Sequence, residues 1–223
     1  MRGILMKHIL VCMMIFCTVG ISACSAPEPA MKTLQVPKEM KKILVVSFRS
    51  TGMDSKEGHD IRCPLSGKIF AGGVVESGAE TVLNSHLADI LKKHPQFKFI
   101  SPEQLRDIRS GLSEESGERE ILVETGRKLE ADAVLAGHIY RFRDRVGGNL
   151  SVESPASVAF DLHFLRVADG RVLWSGHFDE TQKALTDDLF RLSTFLKRDG
   201  QWITADQMAV AGLDTVMEAF TLP

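Results

Sequence analysis

Ile43 to Phe48 is a continuous apolar, β-branched run, and Ala133 to Tyr140 is a second dense apolar run. A strand reads this way when both of its faces are buried, so the chain needs covering elements on both sides. The segments between the two runs supply them. Val75, Ala79, Val82, Leu83, Leu87, Ile90 and Leu91 recur every three or four residues, which predicts a helix. Lys92, Lys93 and His94 suit its negative end, and Pro95 stops it. Phe97 to Ile100 is a short strand candidate, and Ser101, Pro102 and Gln104 form a capping-box pattern that opens a helix through about Arg109. A further helix is expected from about Gly117 to Leu129, with Ile121, Leu122, Thr125 and Leu129 on one side. The order is β-α-β-α-β, the start of an α/β fold with a partly parallel sheet.

The pattern then changes. Val158, Phe160, Leu162, Phe164 and Arg166 alternate with Ala159, Asp161, His163, Leu165 and Val167, and Asp169-Gly170 is a strong hairpin signal before a return strand from Arg171 to Phe178. Helices are expected at about Asp187 to Lys197 and Ala205 to Phe220, the second led by a capping box of Thr204 and Gln207. The expected fold class is therefore mixed α/β (α+β): a mixed sheet with a C-terminal β-hairpin and covering helices. Residues Arg49 to Gly73 have no such pattern, and an irregular stretch of this length in a compact domain is expected to be functional or mobile.

The N-terminus has a separate logic. Arg2, Lys7 and His8 precede an uncharged apolar run, Ile9 to Val19, too short to span a bilayer. Gly20, Ile21, Ser22, Ala23 and Cys24 follow, and this passage resembles the bacterial lipobox, in which the cysteine thiol receives a diacylglycerol and becomes the new N-terminus. The expected organisation is a lipoprotein signal peptide over residues 1–23, a lipidated tether over 24–40 rich in Pro, Ala, Lys and Glu, and a periplasmic domain over 41–223. Three acyl chains would anchor it durably, since each buried methylene contributes about 0.8 kcal/mol. Ser25 follows the cysteine where an inner-membrane retention signal would have Asp, which favours the periplasmic face of the outer membrane.

Processing also changes the cysteine count. Cys12 and Cys17 leave with the signal and Cys24 carries lipid, so Cys63 is the one thiol expected in the mature chain, without an intrachain disulfide or a cysteine-based zinc site. The formal net charge of -2 becomes more negative once Arg2 and Lys7 are removed, and nucleic acid is not an expected partner.

Chemistry-bearing motifs are sparse. Gly67-Lys68 follows Gly58 at the wrong distance for a Walker loop and is followed by Ile69, which lacks the hydroxyl that such a loop offers to magnesium. Gly147-Gly148 sits between strand-like stretches and reads as a turn. Neither a G-x-S-x-G elbow nor an H-E-x-x-H helix occurs. His138, His163 and His177 lie on three successive strand candidates, and binding a metal would need them on one face; the expected role is that of partly exposed or hydrogen-bonded sheet histidines. Cys63 stands beside Arg62, and no spacing identifies a base for it. No catalytic residue, metal ligand or cofactor is therefore assigned. Arg141, Arg143 and Arg145 alternate at period two and, if the strand continues past Tyr140, align on one face, either as a solvated strand end or as a row able to meet an acidic polymer or a partner's carboxylates. Trp174 and Phe178 share a face of their strand and are expected in the core.

Two passages resemble a known group. Gly126 to Gly137, reading helix, Ala131-Asp132, apolar strand and glycine, is similar to a passage of the periplasmic domains of CsgG, LpoB, PelC and the TolB N-terminal domain. The hairpin from Phe160 to Trp174, turning at Asp169-Gly170 with a tryptophan in the return strand, is similar to that group's hairpin. The resemblance spans about Lys42 to Asp179 and implies the group's mixed α/β fold. It also implies a non-enzymatic role, because members build curli export channels, form a ring in Pel polysaccharide export or activate peptidoglycan synthases. The expectation is an outer-membrane lipoprotein that docks protein partners in envelope assembly or in secretion of protein or polysaccharide. Alternatives are a synthase activator of the LpoB type, a homo-oligomeric ring or channel component, and an envelope hydrolase. Expected partners are the membrane through its lipid, envelope proteins, further copies of the chain, and a cell-envelope polysaccharide.

Overall fold

A computed structural model describes residues 31–51, 58–148, 152–182 and 202–222. The lipobox-like passage ending at Cys24 and the helix expected at 187–197 lie outside the described residues.

A five-stranded sheet organises the domain, with the strands β10 (Val172–Thr181), β9 (Ser157–Arg166), β6 (Ala133–Arg143), β2 (Ile43–Ser50) and β5 (Phe97–Phe99) side by side in that order, while β7 (Val146–Gly147) and β8 (Val152–Ser154) pair with each other. Its first strand in the chain, β2, runs parallel to β5 on one side and to β6 on the other. The antiparallel half adds β9 against β6 and β10 against β9. The turn between the last two is the expected one, with Gly170 at φ 67°, a conformation that side chains with a Cβ rarely adopt.

Both faces are covered, as the two apolar runs require. On one face lie α1 (Ala79–Leu91) and α4 (Ala205–Glu218), whose Leu83, Leu87, Met208 and Leu213 pack on Ile43, Val45, Phe160 and Phe164. On the other lie α2 (Pro102–Ser110) and α3 (Glu118–Lys128), where Ile108 and Leu122 meet Leu44, Val46, Val134 and Ala136. Both capping boxes form, Ser101 with Gln104 and Thr204 with Gln207. The first helix begins later than the periodicity predicts. Val75 is extended and bridges to Phe142, and Gly78, at φ 98°, turns the chain into the helix.

Three expectations are corrected. Order begins before Lys41: β1 (Leu34–Gln35) pairs with β11 (Phe220–Thr221), Val36 is buried, and the Trp174 indole donates to the Lys32 carbonyl at 2.8 Å. The folded part therefore begins within the stretch expected as a tether, where Leu34 and Val36 join the core that includes Phe220. The irregular stretch also contains structure, a hairpin of β3 (Asp60–Arg62) and β4 (Ile69–Ala71) whose Leu65 and Phe70 cover the second face beside α3.

The third correction concerns the arginine row. Arg141 is buried at 8% exposure; its guanidinium donates to Ser157 Oγ at 2.6 Å and to the Ala71 carbonyl, and it pairs with Asp179. Arg143 and Arg145 are half-buried. The reason is a register irregularity between Ile139 and Arg141, an extra residue that breaks the period of two and lets Tyr140 and Arg141 both address the hairpin. Arg141 thus holds the hairpin to the sheet and does not form part of an exposed row.

Candidate functional site

Polar side chains embedded in the two-faced strands converge beneath the hairpin. In β6 and β9, His138 is paired with Asp161 and Ala136 with His163, so both histidines and the carboxylate share the face covered by α3 and the hairpin. The tight turn after β3 brings Cys63 down onto them. Each of these four residues is only 1% exposed.

The contacts are close. Cys63 Sγ lies 3.2 Å from His163 Nε2, which is also 2.9 Å from Asp161 Oδ2. His138 Nδ1 lies 3.0 Å from Asp161 Oδ1, and the Tyr140 hydroxyl donates to Asp161 Oδ2 at 2.7 Å. The backbone N–H groups of Leu65 and Ser66 both donate to Cys63 Sγ at 3.3 Å. The outward nitrogens also have neighbours: His163 Nδ1 is 2.8 Å from Ser175 Oγ, and His138 Nε2 is 3.8 Å from Glu118 Oε1, at the start of α3. Glu118 pairs in turn with Arg49. Phe70 stacks on Tyr140 with ring centroids 4.1 Å apart, closing the site from the hairpin side.

Electrostatics follow from burial set against these contacts. Burial pushes the Cys63 thiol up, but hydrogen bonds with His138 and His163 outweigh it and bring the thiol down to about 5. Burial pushes both imidazoles down, and hydrogen bonds with Asp161 and Cys63 reverse this, raising His138 to about 11 and His163 to about 9. Asp161 is held well below the usual carboxylate range because both histidines outweigh its burial. Tyr140 is pushed up by burial and by the Asp161 charge, and so stays a neutral donor.

These signs combine into one pH profile for protein stripped of any bound ion. The raised histidines contribute stability that is full below their ordinary 6.5 and is lost as pH rises through about 9 and about 11. The lowered thiol contributes stability that is full above its ordinary 9.0 and is lost as pH falls through about 5. Asp161 adds a further loss in strong acid. Between 6.5 and 9 two imidazoles oppose one thiol, so stability falls as pH rises. The melting temperature of chelator-treated protein should peak near pH 6.5, and a steady rise from pH 7 to 9 would show that the histidines are neutral in the fold.

The arrangement is not that of a nucleophile and its base. In a cysteine or serine triad the orienting group holds the imidazole nitrogen remote from the nucleophile. Here the carboxylate and the thiol crowd the same nitrogen, Nε2 of His163, and Ser175 occupies the other. A crevice lined by Ser47, Arg49, Glu80, Pro102 and Arg106 contains none of the four buried residues. What the four offer instead is a convergent donor set: one sulfur, two ring nitrogens and a carboxylate oxygen, all within 4.8 Å of one another.

Of the three histidines singled out from the sequence, the structure gathers two. His177 is paired with Asp161 across β9 and β10, but its ring meets Phe70 edge-on at 6.4 Å and it is not in the donor set. Cys63 gains a histidine neighbour that no sequence spacing reveals. Asp161 was missed as a site residue, although a carboxylate inside an apolar strand has to be partnered when buried.

No family model matches the chain, and no curated protein matches it. Solved structures do. The chain is similar to PelC from Paraburkholderia phytofirmans, crystallised as a dodecamer, at 14% identity over 81% of this chain and 86% of that one, with a TM-score of 0.44. It is similar to the LpoB C-terminal domain from Escherichia coli at 20% identity over 64% and 84%, TM-score 0.35, and to a lipoprotein from Neisseria meningitidis at 11% over 71% and 92%, TM-score 0.37. PelC and LpoB are among the proteins that the Ala131-Asp132 passage and the Trp174 hairpin resemble.

Proposed function

We propose that the chain is a lipid-anchored, non-enzymatic domain on the periplasmic face of the bacterial outer membrane, which docks protein partners in envelope assembly or export. The observation that carries the non-enzymatic part is the sealing of the Cys63, His138, Asp161 and His163 cluster, each member 1% exposed and covered by the β3–β4 hairpin. A substrate has no contact with those groups while the hairpin is in place, so the work of the domain falls to its surface. The lipobox-like passage ending at Cys24 supports the anchoring, and no helix among the described residues is long and apolar enough to cross a membrane.

Replacing Cys24 by Ala tests the anchor. The wild-type chain should fractionate with the outer membrane, and Cys24→Ala should lose that association because the rest of the mature sequence has no apolar run long enough to replace the lipid. Cys24→Ala that remains in washed outer membranes, with its signal removed, would contradict the proposal. Crosslinking in intact cells tests docking: envelope proteins trapped by the wild type should be lost with Cys24→Ala, and crosslinks that persist would show that the lipid does not set the partner.

A further inference from the structure

The geometry points to a structural site for a divalent transition-metal ion, of which zinc is the best fit, formed by Cys63 Sγ, His138 Nδ1, Asp161 and His163 Nε2. With one oxygen taken from Asp161, the four donor atoms lie within 4.8 Å of one another; Cys63 Sγ is 3.2 Å from His163 Nε2, and the two oxygens of Asp161 are 2.9 Å from His163 Nε2 and 3.0 Å from His138 Nδ1. Zinc bonds of 2.0 to 2.3 Å in a tetrahedron place donors about 3.3 to 3.6 Å apart, so for an ion to enter, the close pairs open by a few tenths of an ångström and the widest close by up to about 1 Å. One thiolate and two imidazoles select a borderline-soft ion over calcium or magnesium, which take oxygen donors. A thiolate, a carboxylate and two neutral imidazoles carry two negative charges, which a divalent ion cancels, so the loaded site is uncharged where a net charge would be expensive.

The surroundings fit the same assignment. Metal-binding histidines usually engage a carboxylate, hydroxyl or carbonyl through their second nitrogen, which fixes the ring. Ser175 stands at 2.8 Å from that nitrogen in His163, and Glu118, itself held by Arg49, at 3.8 Å from that of His138. Two backbone N–H groups support the sulfur, and the Tyr140 hydroxyl supports the carboxylate. Four protein donors in a closed site leave no open position, the arrangement of structural and not catalytic zinc.

The topology says what the ion would do. Three ligands belong to β6 and β9, at the centre of the sheet, while Cys63 alone comes from the hairpin, 100 residues away from His163. The ion is therefore a clamp: it ties the β3–β4 hairpin to the sheet beside the Arg141 to Ala71 hydrogen bond. Protons displaced from the donors go to solvent when it binds, and release requires the hairpin to lift.

The test uses full-length wild-type protein in detergent, first stripped with a chelator and then titrated with cobalt(II), followed by zinc. One equivalent of cobalt should bind per chain, with a sulfur-to-cobalt charge-transfer band and intense tetrahedral visible bands that zinc abolishes. Weak octahedral bands without sulfur charge transfer, or no cobalt bound at micromolar concentration, would overturn the proposal. Cys63→Ser should lose the charge-transfer band, and folded Cys63→Ser that keeps it would also overturn the proposal; if that variant does not fold, the wild-type titration decides alone. Ser175→Ala removes a positioning group and should weaken zinc binding about ten- to hundredfold while keeping the tetrahedral spectrum. Unchanged zinc affinity in Ser175→Ala together with a six-coordinate wild-type spectrum would place the ion elsewhere.

Discussion

Asp161→Ala should lower stability by about 3 to 5 kcal/mol, the loss expected when one member of a buried charged network is removed and its partners remain. For a domain of this size that is a fall of roughly 10 °C or more in melting temperature. The carboxylate accepts from the Tyr140 hydroxyl and lies within 3.0 Å of both histidines, so the truncation takes a partner from three polar groups in the buried cluster. The triple change His138→Leu, Asp161→Leu, His163→Leu is the control. It removes the partners together with the charge and should be less destabilising than the single substitution in chelator-treated protein, because an apolar replacement leaves few groups unpaired. Thermal melts of both variants decide the matter. A near-neutral Asp161→Ala would mean that the hairpin opens enough to hydrate the cluster.

The second large effect is expected at the opposite face. Trp174→Ala should cost about 3 to 5 kcal/mol, because the indole is 3% exposed, lies 4.9 Å from the Phe220 ring and belongs to the core beneath α4. Its N–H to the Lys32 carbonyl also ties the N-terminal segment to the sheet, so Trp174→Phe, which keeps a ring and loses that bond, should cost less, with about 1 kcal/mol from the hydrogen bond itself. Urea unfolding separates the two. A Trp174→Ala variant with an unchanged midpoint would make the tryptophan a surface anchor for a partner.

What the sequence made legible follows from local rules. The runs at Ile43 and Ala133, the Asp169-Gly170 turn and both capping boxes depend on residues adjacent or a few positions apart, and each forms where expected. The arginine row failed because period two holds only while the ladder is regular, and the extra residue at Tyr140 sends Arg141 into the hairpin contact. The early strand at Leu34 was hidden because two residues carry no period, and its partner, Phe220, lies at the far end of the chain.

The cluster was half legible. Alternation in 158–167 puts Asp161 and His163 on one face, and His138 interrupts an otherwise apolar run, so three polar residues stood where both faces must be buried. Their meeting depends on the pairing of His138 with Asp161, which register and not spacing determines. Cys63 was beyond reach, since it arrives from a hairpin whose strands are three residues each.

Whether the sealed cluster holds a metal ion as a clamp, not as a catalyst, is decided by X-ray absorption of the zinc-loaded full-length protein. The expected spectrum is that of a four-coordinate first shell with one sulfur at about 2.3 Å and three nitrogen or oxygen donors at about 2.0 to 2.1 Å. A five- or six-coordinate shell of oxygen and nitrogen without sulfur would contradict it.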